Sequence, residues 1–105
     1  MLTSQKWYYS KLKNPTGEST CFDATNFWEF KTDGSYKNKS YWTNESGTYE
    51  ISEDGKTITL NSGSENWTIS EISISKNTFS FTILYEAGAT NFTLSKTAGT
   101  GCDPL

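Results

Sequence analysis

Turn-forming residues punctuate this chain about every ten positions, and the runs between them alternate apolar with polar side chains. No stretch carries the period of an amphipathic helix. The first run is Lys6 to Leu12, closed by Asn14-Pro15-Thr16-Gly17 and followed by a polar loop through Cys21. The second is Asn26 to Lys31, with Asp33-Gly34 as a hairpin signal in which both residues tolerate a positive φ. The third is Ser35 to Trp42, turned by Asn44-Glu45-Ser46-Gly47, and the fourth is Thr48 to Ile51. A second Asp-Gly hairpin, Glu53-Asp54-Gly55, leads to the fifth run, Thr57 to Leu60, which Ser62-Gly63-Ser64 ends. The sixth is Trp67 to Ile72 and the seventh is Thr78 to Tyr85; Ala87-Gly88-Ala89 turns into the eighth, Asn91 to Ser95. Residues 97–105 read as a coil tail to a single domain spanning 1–105.

Tight turns make neighbouring runs pair, so the expected topology is antiparallel and up-and-down. Eight such strands are enough to close, and closure removes the exposed edges of an open sheet. A sandwich needs more long crossing connections than the single one here, residues 13–25, and the runs differ too much for a repeat array. The expectation is an all-β, eight-stranded antiparallel meander barrel.

Alternation then assigns the faces. Trp7 and Tyr9, Trp28 and Phe30, Tyr49 and Ile51, Ile58 and Leu60, Trp67 and Ile69, Phe79, Phe81 and Ile83, and Phe92 and Leu94 point inward. Tyr8, Phe27 and Tyr41 fall on the outer face, where they would form an aromatic patch. In the third run Tyr36 and Trp42 share a face with Asn38 and Ser40, which predicts a bulge or an open mouth. Ile72 and Ile74 change face relative to Ile69, which places a bulge near Glu71–Ser73.

Mean hydropathy is −0.65 and only 33% of the residues are apolar, a balance found in disordered chains. Aromatic residues make up 15% of the chain, and they bury the most area per residue, so the reading is a folded domain with an aromatic interior. The nine basic residues are all lysines and are scattered, with no arginine, which excludes a nucleic-acid or anionic-membrane footprint. No apolar run approaches the ~18 residues of a membrane span. Met1-Leu2-Thr3-Ser4 leads straight into the first strand pattern rather than reading as a signal peptide; Met1 is either the native start or one replacing a removed signal.

With no histidine, the Ser-His-Asp and Cys-His arrangements and an ordinary zinc site are excluded. Glu29, Glu50, Glu65, Glu71 and Glu86 mostly occupy outward or turn positions, as solvated carboxylates do. Asp33, Glu53 and Asp54 sit in turns too sparse in oxygen ligands for calcium. No enzyme activity, metal or cofactor is expected. Cys21 and Cys102 form either one disulfide or two free thiols, and the small Trp-, Tyr- and Asn-rich composition favours the disulfide of a secreted domain. On the chain-entropy picture that bridge would contribute roughly 3–5 kcal/mol.

Trp28-Glu29-Phe30-Lys31-Thr32-Asp33-Gly34-Ser35-Tyr36, then Gly47-Thr48-Tyr49-Glu50-Ile51-Ser52, Lys56-Thr57-Ile58-Thr59-Leu60 and Trp67-Thr68-Ile69, in that order and spacing, resembles the small lipocalin-like domains of bacterial cell-envelope proteins, common in the Bacteroidetes. The likeness runs from Trp7 to Lys96. It implies a lipocalin-like barrel, an exported location (periplasm, outer-membrane surface or extracellular), often an N-terminal lipid anchor in the native protein, and a small apolar ligand. The glycine that lipocalins place two residues before the first-strand tryptophan is Gln5 here, and no arginine exists to stack on Trp7, which argues against a large ligand. The candidate ligand-binding set is the inward ring set Trp7, Tyr9, Trp28, Phe30, Tyr36, Trp42, Tyr49, Trp67, Phe81 and Phe92, with Tyr36, Trp42 and Tyr49 nearest the expected mouth. Its competing reading is a filled core, because eight strands enclose little more than their own side chains. The expected function is non-catalytic binding of a small hydrophobic ligand by a monomer, against an envelope interaction module with no ligand. A third reading is an inhibitor of a secreted enzyme, acting through the loop at 13–25.

Overall fold

The computed structural model describes residues 2, 3, 5–40, 44–63, 65–85 and 88–99. All regular structure in it is strand: β1 (Trp7–Asn14), β2 (Gly17–Ser19), β3 (Phe27–Phe30), β4 (Ser35–Lys39), β5 (Asn44–Ile51), β6 (Ile58–Ser62), β7 (Glu65–Ile74), β8 (Thr78–Tyr85) and β9 (Gly88–Ser95). From β3 to β9 each strand pairs antiparallel with the next, and β1 closes the circle by pairing with both β3 and β9. This is the expected closed, up-and-down antiparallel barrel. No helix among the described residues is long and apolar enough to cross a membrane.

The ninth strand is the half of a stave that sequence punctuation hid. β1 gives one edge to β9 along Tyr8–Lys13, so β2, paired at Leu12–Asn14, and β3, paired at Trp7 and Tyr8, lie one behind the other on its opposite edge. They form one stave interrupted by residues 20–26. The Asn14 carboxamide shapes the hairpin that starts it, accepting hydrogen bonds from the Thr16 and Gly17 amides at 2.9 and 3.1 Å. The interruption is not the polar loop that composition indicates: it folds Phe22 into the core against Tyr9, with ring centroids 5.1 Å apart.

Alternation placed most of the core correctly. Trp7, Tyr9, Trp28, Phe30, Tyr36, Ile58, Leu60, Ile69, Phe79, Phe81, Ile83, Phe92 and Leu94 are buried together. The departures trace to local backbone features. A register shift between Tyr9 and Lys11 reverses the faces of β1, so that Leu12 rather than Lys11 turns inward beside Phe92. The bulge predicted near Glu71 is present, with a shift between Ser70 and Ser73 and Glu71 at φ 51°. β4 needs no bulge, because its register with β3 and β5 is unbroken and Asn38 faces inward. Asn44–Gly47 is strand rather than turn, and Gly88 and Ala89 already belong to β9. Ile51 is 52% exposed at the end of its strand instead of buried. Phe27, expected on an outer patch, is buried under Lys6 and Tyr8; the Lys6 ammonium sits 4.5 Å from its ring. Tyr41 lies outside the described residues.

Both Asp-Gly hairpins form, but only the glycines, Gly34 at φ 90° and Gly55 at φ 72°, take a positive φ. Each aspartate instead accepts hydrogen bonds across its turn. Asp33 Oδ1 takes the Ser35 amide and hydroxyl at 2.9 and 2.6 Å, and Asp54 Oδ1 takes the Lys56 amide and Ser52 hydroxyl at 3.0 and 2.6 Å. These bonds, led by the serine hydroxyls, hold both carboxyls below the ordinary aspartate range. A depressed folded-state value stabilises the native chain above the unfolded-state value and is lost as pH falls through the folded one. Asp33→Ala and Asp54→Ala are therefore expected to lower the urea midpoint at pH 7 and to approach the parent as pH falls below the ordinary aspartate range. A midpoint difference that persists undiminished at pH 2 would mean the carboxylates are not its source.

Candidate functional site

The two ends of the barrel are built differently. One end carries the turns at 31–34, 52–57 and 75–77, and the N-terminal segment packs against the core there. Leu2 is part of that packing, and its carbonyl accepts the Trp7 indole N–H at 3.0 Å. Tyr49 belongs to this closed end: its hydroxyl donates to the Lys31 carbonyl at 2.7 Å and its ring stands edge-on to Phe30. The barrel axis between the ends is filled by rings. Trp28 stacks near-parallel with Phe30 and Tyr36 at 5.9 and 6.0 Å and meets Phe81 and Phe92 edge-on at 5.3 and 5.7 Å.

At the other end the described residues form a cup of about 200 Å³ lined by Tyr9, Leu12, Asn14, Asn38, Ser40, Tyr85, Thr90 and Phe92. Its position follows from the interrupted stave. β3 begins only at Phe27, level with Lys39, so among the described residues no strand continues the ladder between β2 and β4 at this end. A wider surface depression along the β1–β2 hairpin shares Leu12 and Asn14 with the cup.

Several polar side chains of this end are directed inward. The Tyr9 hydroxyl donates to Asn38 Oδ1 at 2.5 Å. Glu45 stands on the inner face of β5, in parity with Gly47 and Tyr49, and accepts the Trp67 indole N–H at 3.1 Å. Trp67 in turn packs edge-on against Tyr85, with centroids 4.9 Å apart. The Tyr36 hydroxyl and the Trp28 indole N–H are buried and have no hydrogen-bond partner among the described residues. Burial, reinforced by the Glu45 charge, pushes the Tyr36 phenol up to about 12, and the same two causes raise Tyr85. Burial raises Tyr9 as well. All three phenols are thus hydrogen-bond donors over the physiological range. That is the reverse of the tuning toward neutrality that general-base or nucleophilic chemistry requires.

Of the residues expected to bind a ligand, the structure brings Tyr9 and Phe92 to the cup wall; Trp67 packs against Tyr85, another wall residue, and Tyr36 stacks on Trp28. Trp28, Phe30 and Phe81 form the ring column, and Trp7 and Tyr49 belong to the closed end. Trp42 lies outside the described residues. Cys21 is not a free thiol, and Cys102 lies outside the described residues. Leu12 and Glu45 were not legible as site residues. The alternation of Glu45 with Gly47 and Tyr49 was the available signal, obscured by reading Asn44–Gly47 as a turn. Among the described residues no three His, Cys, Asp or Glu side chains gather as a metal site would require. Comparison with protein-family models, curated proteins and solved structures found no match to this chain.

Proposed function

We propose that this chain is a non-catalytic, lipocalin-like binding domain of an exported bacterial protein, and that it takes a small, largely apolar ligand in the cup at the open end of the barrel. The observation that carries the reading is the cup itself, a concavity in which Leu12, Phe92 and the rings of Tyr9 and Tyr85 meet the polar side chains of Asn14, Asn38, Ser40 and Thr90. Its size limits the ligand. Pockets for drug-sized molecules run to roughly 300–1,000 Å³, whereas about 150 Å³ suffices for a benzene ring. The ring column excludes a long chain threaded down the axis. The likeness to envelope lipocalins and the Cys21–Cys102 pairing, which disulfide mapping under non-reducing conditions would test, support export. An N-terminal lipid anchor and a monomeric state belong to the same reading.

The filled axis favours a second reading, an envelope interaction module that binds no small molecule. Titration with single-ring probes such as indole and 2-phenylethanol separates the two. The first reading expects a saturable change in tryptophan fluorescence at one equivalent, with amide shifts at Asn38, Ser40 and Thr90. It also expects Thr90→Phe, which fills the cup, to weaken binding at least tenfold. No saturable response from any apolar class would leave only the interaction module.

A further inference from the structure

Among the described residues Glu45 is an inward carboxylate without a counter-cation. The lysines of the neighbouring strands, Lys13, Lys37 and Lys39, alternate with the inward Leu12, Asn14, Tyr36 and Asn38 and so stand on the outer face. Among the described residues the ion pair is Lys11 with Glu18, on the hairpin, and the partner of Glu45 is the neutral indole N–H of Trp67. A half-buried carboxylate in that setting gains from an opposite charge brought close to it.

The surroundings of Glu45 are aromatic. Trp67 and Tyr85 meet at 64° and form two walls of a corner beside the carboxylate. Ring faces attract cations, and a corner of rings with a carboxylate is a recurrent way to hold an ammonium group. Tyr36 supplies a second sign: the residue is only 2% exposed, and its buried hydroxyl makes no hydrogen bond among the described residues. A buried hydroxyl left unpaired is destabilising unless something arrives to satisfy it. An anionic ligand would meet the Glu45 charge with no inward lysine to offset it. A metal ion would find one carboxylate where it needs several oxygens.

We propose that the ligand of this mouth is a small organic cation, a protonated amine on an apolar body of about one ring, held by the Glu45 carboxylate and the faces of Trp67 and Tyr85, with the Tyr36 hydroxyl beneath. The proposal rests on the cup being a ligand site and adds the charge of its occupant. The ammonium takes the uncompensated position at Glu45, and the ring enters the cup toward Tyr9, Leu12 and Phe92.

Two probes of equal size decide it, 2-phenylethylammonium and 2-phenylethanol at pH 7, where an alkyl amine is fully charged. The amine is expected to bind at least tenfold tighter than the alcohol and to shift the Trp67 indole N–H and Glu45 amide resonances. In Glu45→Gln the amine should fall to within about twofold of the alcohol. Equal affinity of the two probes for the unsubstituted protein overturns the cation assignment while leaving the cup as a ligand site, and needs no variant that might misfold. A preference that survives Glu45→Gln in a variant with native amide dispersion also overturns it. Failure of both probes to bind overturns the cup reading and this proposal together.

Discussion

Replacing Trp28 by alanine is expected to cost about 3–5 kcal/mol, a large share of the roughly 5–15 kcal/mol that holds a domain of this size together. Trp28 is fully buried and touches rings from its own strand and three others: it stacks with Phe30 on its own strand and Tyr36 on the next, and meets Phe81 and Phe92 edge-on from across the barrel. Removing the indole empties the centre of the column, and the closed hydrogen-bonded wall limits how far the staves can move in to fill it. The urea midpoint should fall by about 2 M, given a slope of roughly 1–3 kcal/mol per molar for small domains. Trp28→Phe should lose much less, because the stack is kept and the indole N–H has no partner to forfeit. A midpoint shift under about 0.5 M for the alanine variant would show that the column does not carry the core.

Gly47→Ala is expected to be nearly as damaging, at about 3 kcal/mol, the upper end of what overpacking costs. The reason is not a left-handed backbone, since Gly47 is not among the positive-φ glycines. A methyl group at Gly47 would run into the carbonyl oxygen of Asn61 on β6, with the Ser62 Cα at 3.1 Å behind it. Backbone atoms cannot rotate away as a side chain can, so relief requires β5 and β6 to separate. Gly55→Ala is the internal comparison: its φ of 72° is strained for alanine, yet nothing lies within 4 Å. That substitution should cost about 1–2 kcal/mol. Denaturation curves placing Gly47→Ala at or below Gly55→Ala would refute the close approach of the two strands.

These substitutions also mark what could be read from the chain and what could not. Period-two alternation identified Trp7, Trp28, Phe30, Phe81 and Phe92, because side-chain direction in an unbroken strand depends only on parity. It lost Leu12, because an extra residue beside Ser10 reversed parity without leaving a trace in composition. Phe22 was hidden for a different reason: a segment of Ser, Thr, Cys and Asp reads as solvent-exposed loop unless the gap it covers is known. Gly47 was read as punctuation when its missing side chain serves strand packing, and that error concealed Glu45. The barrel was legible because many weak turn signals agree on one topology. The mouth was not, because it depends on one unforeseen bulge in β1, one broken stave and one misread glycine, each a single local event.

The broken stave has a consequence for self-association. Around most of the cylinder every ribbon has a neighbour on both sides, so a second chain finds no row of free amides to extend. Among the described residues the free border is the outer side of β2, only Gly17 to Ser19 long, and Glu18 within it is tied to Lys11 at 2.7 Å. A border that short and charged, entered through a proline-containing turn, is a poor template for strand addition. A chain with so many aromatic β-segments therefore presents little for strand addition to extend, provided the cylinder stays shut.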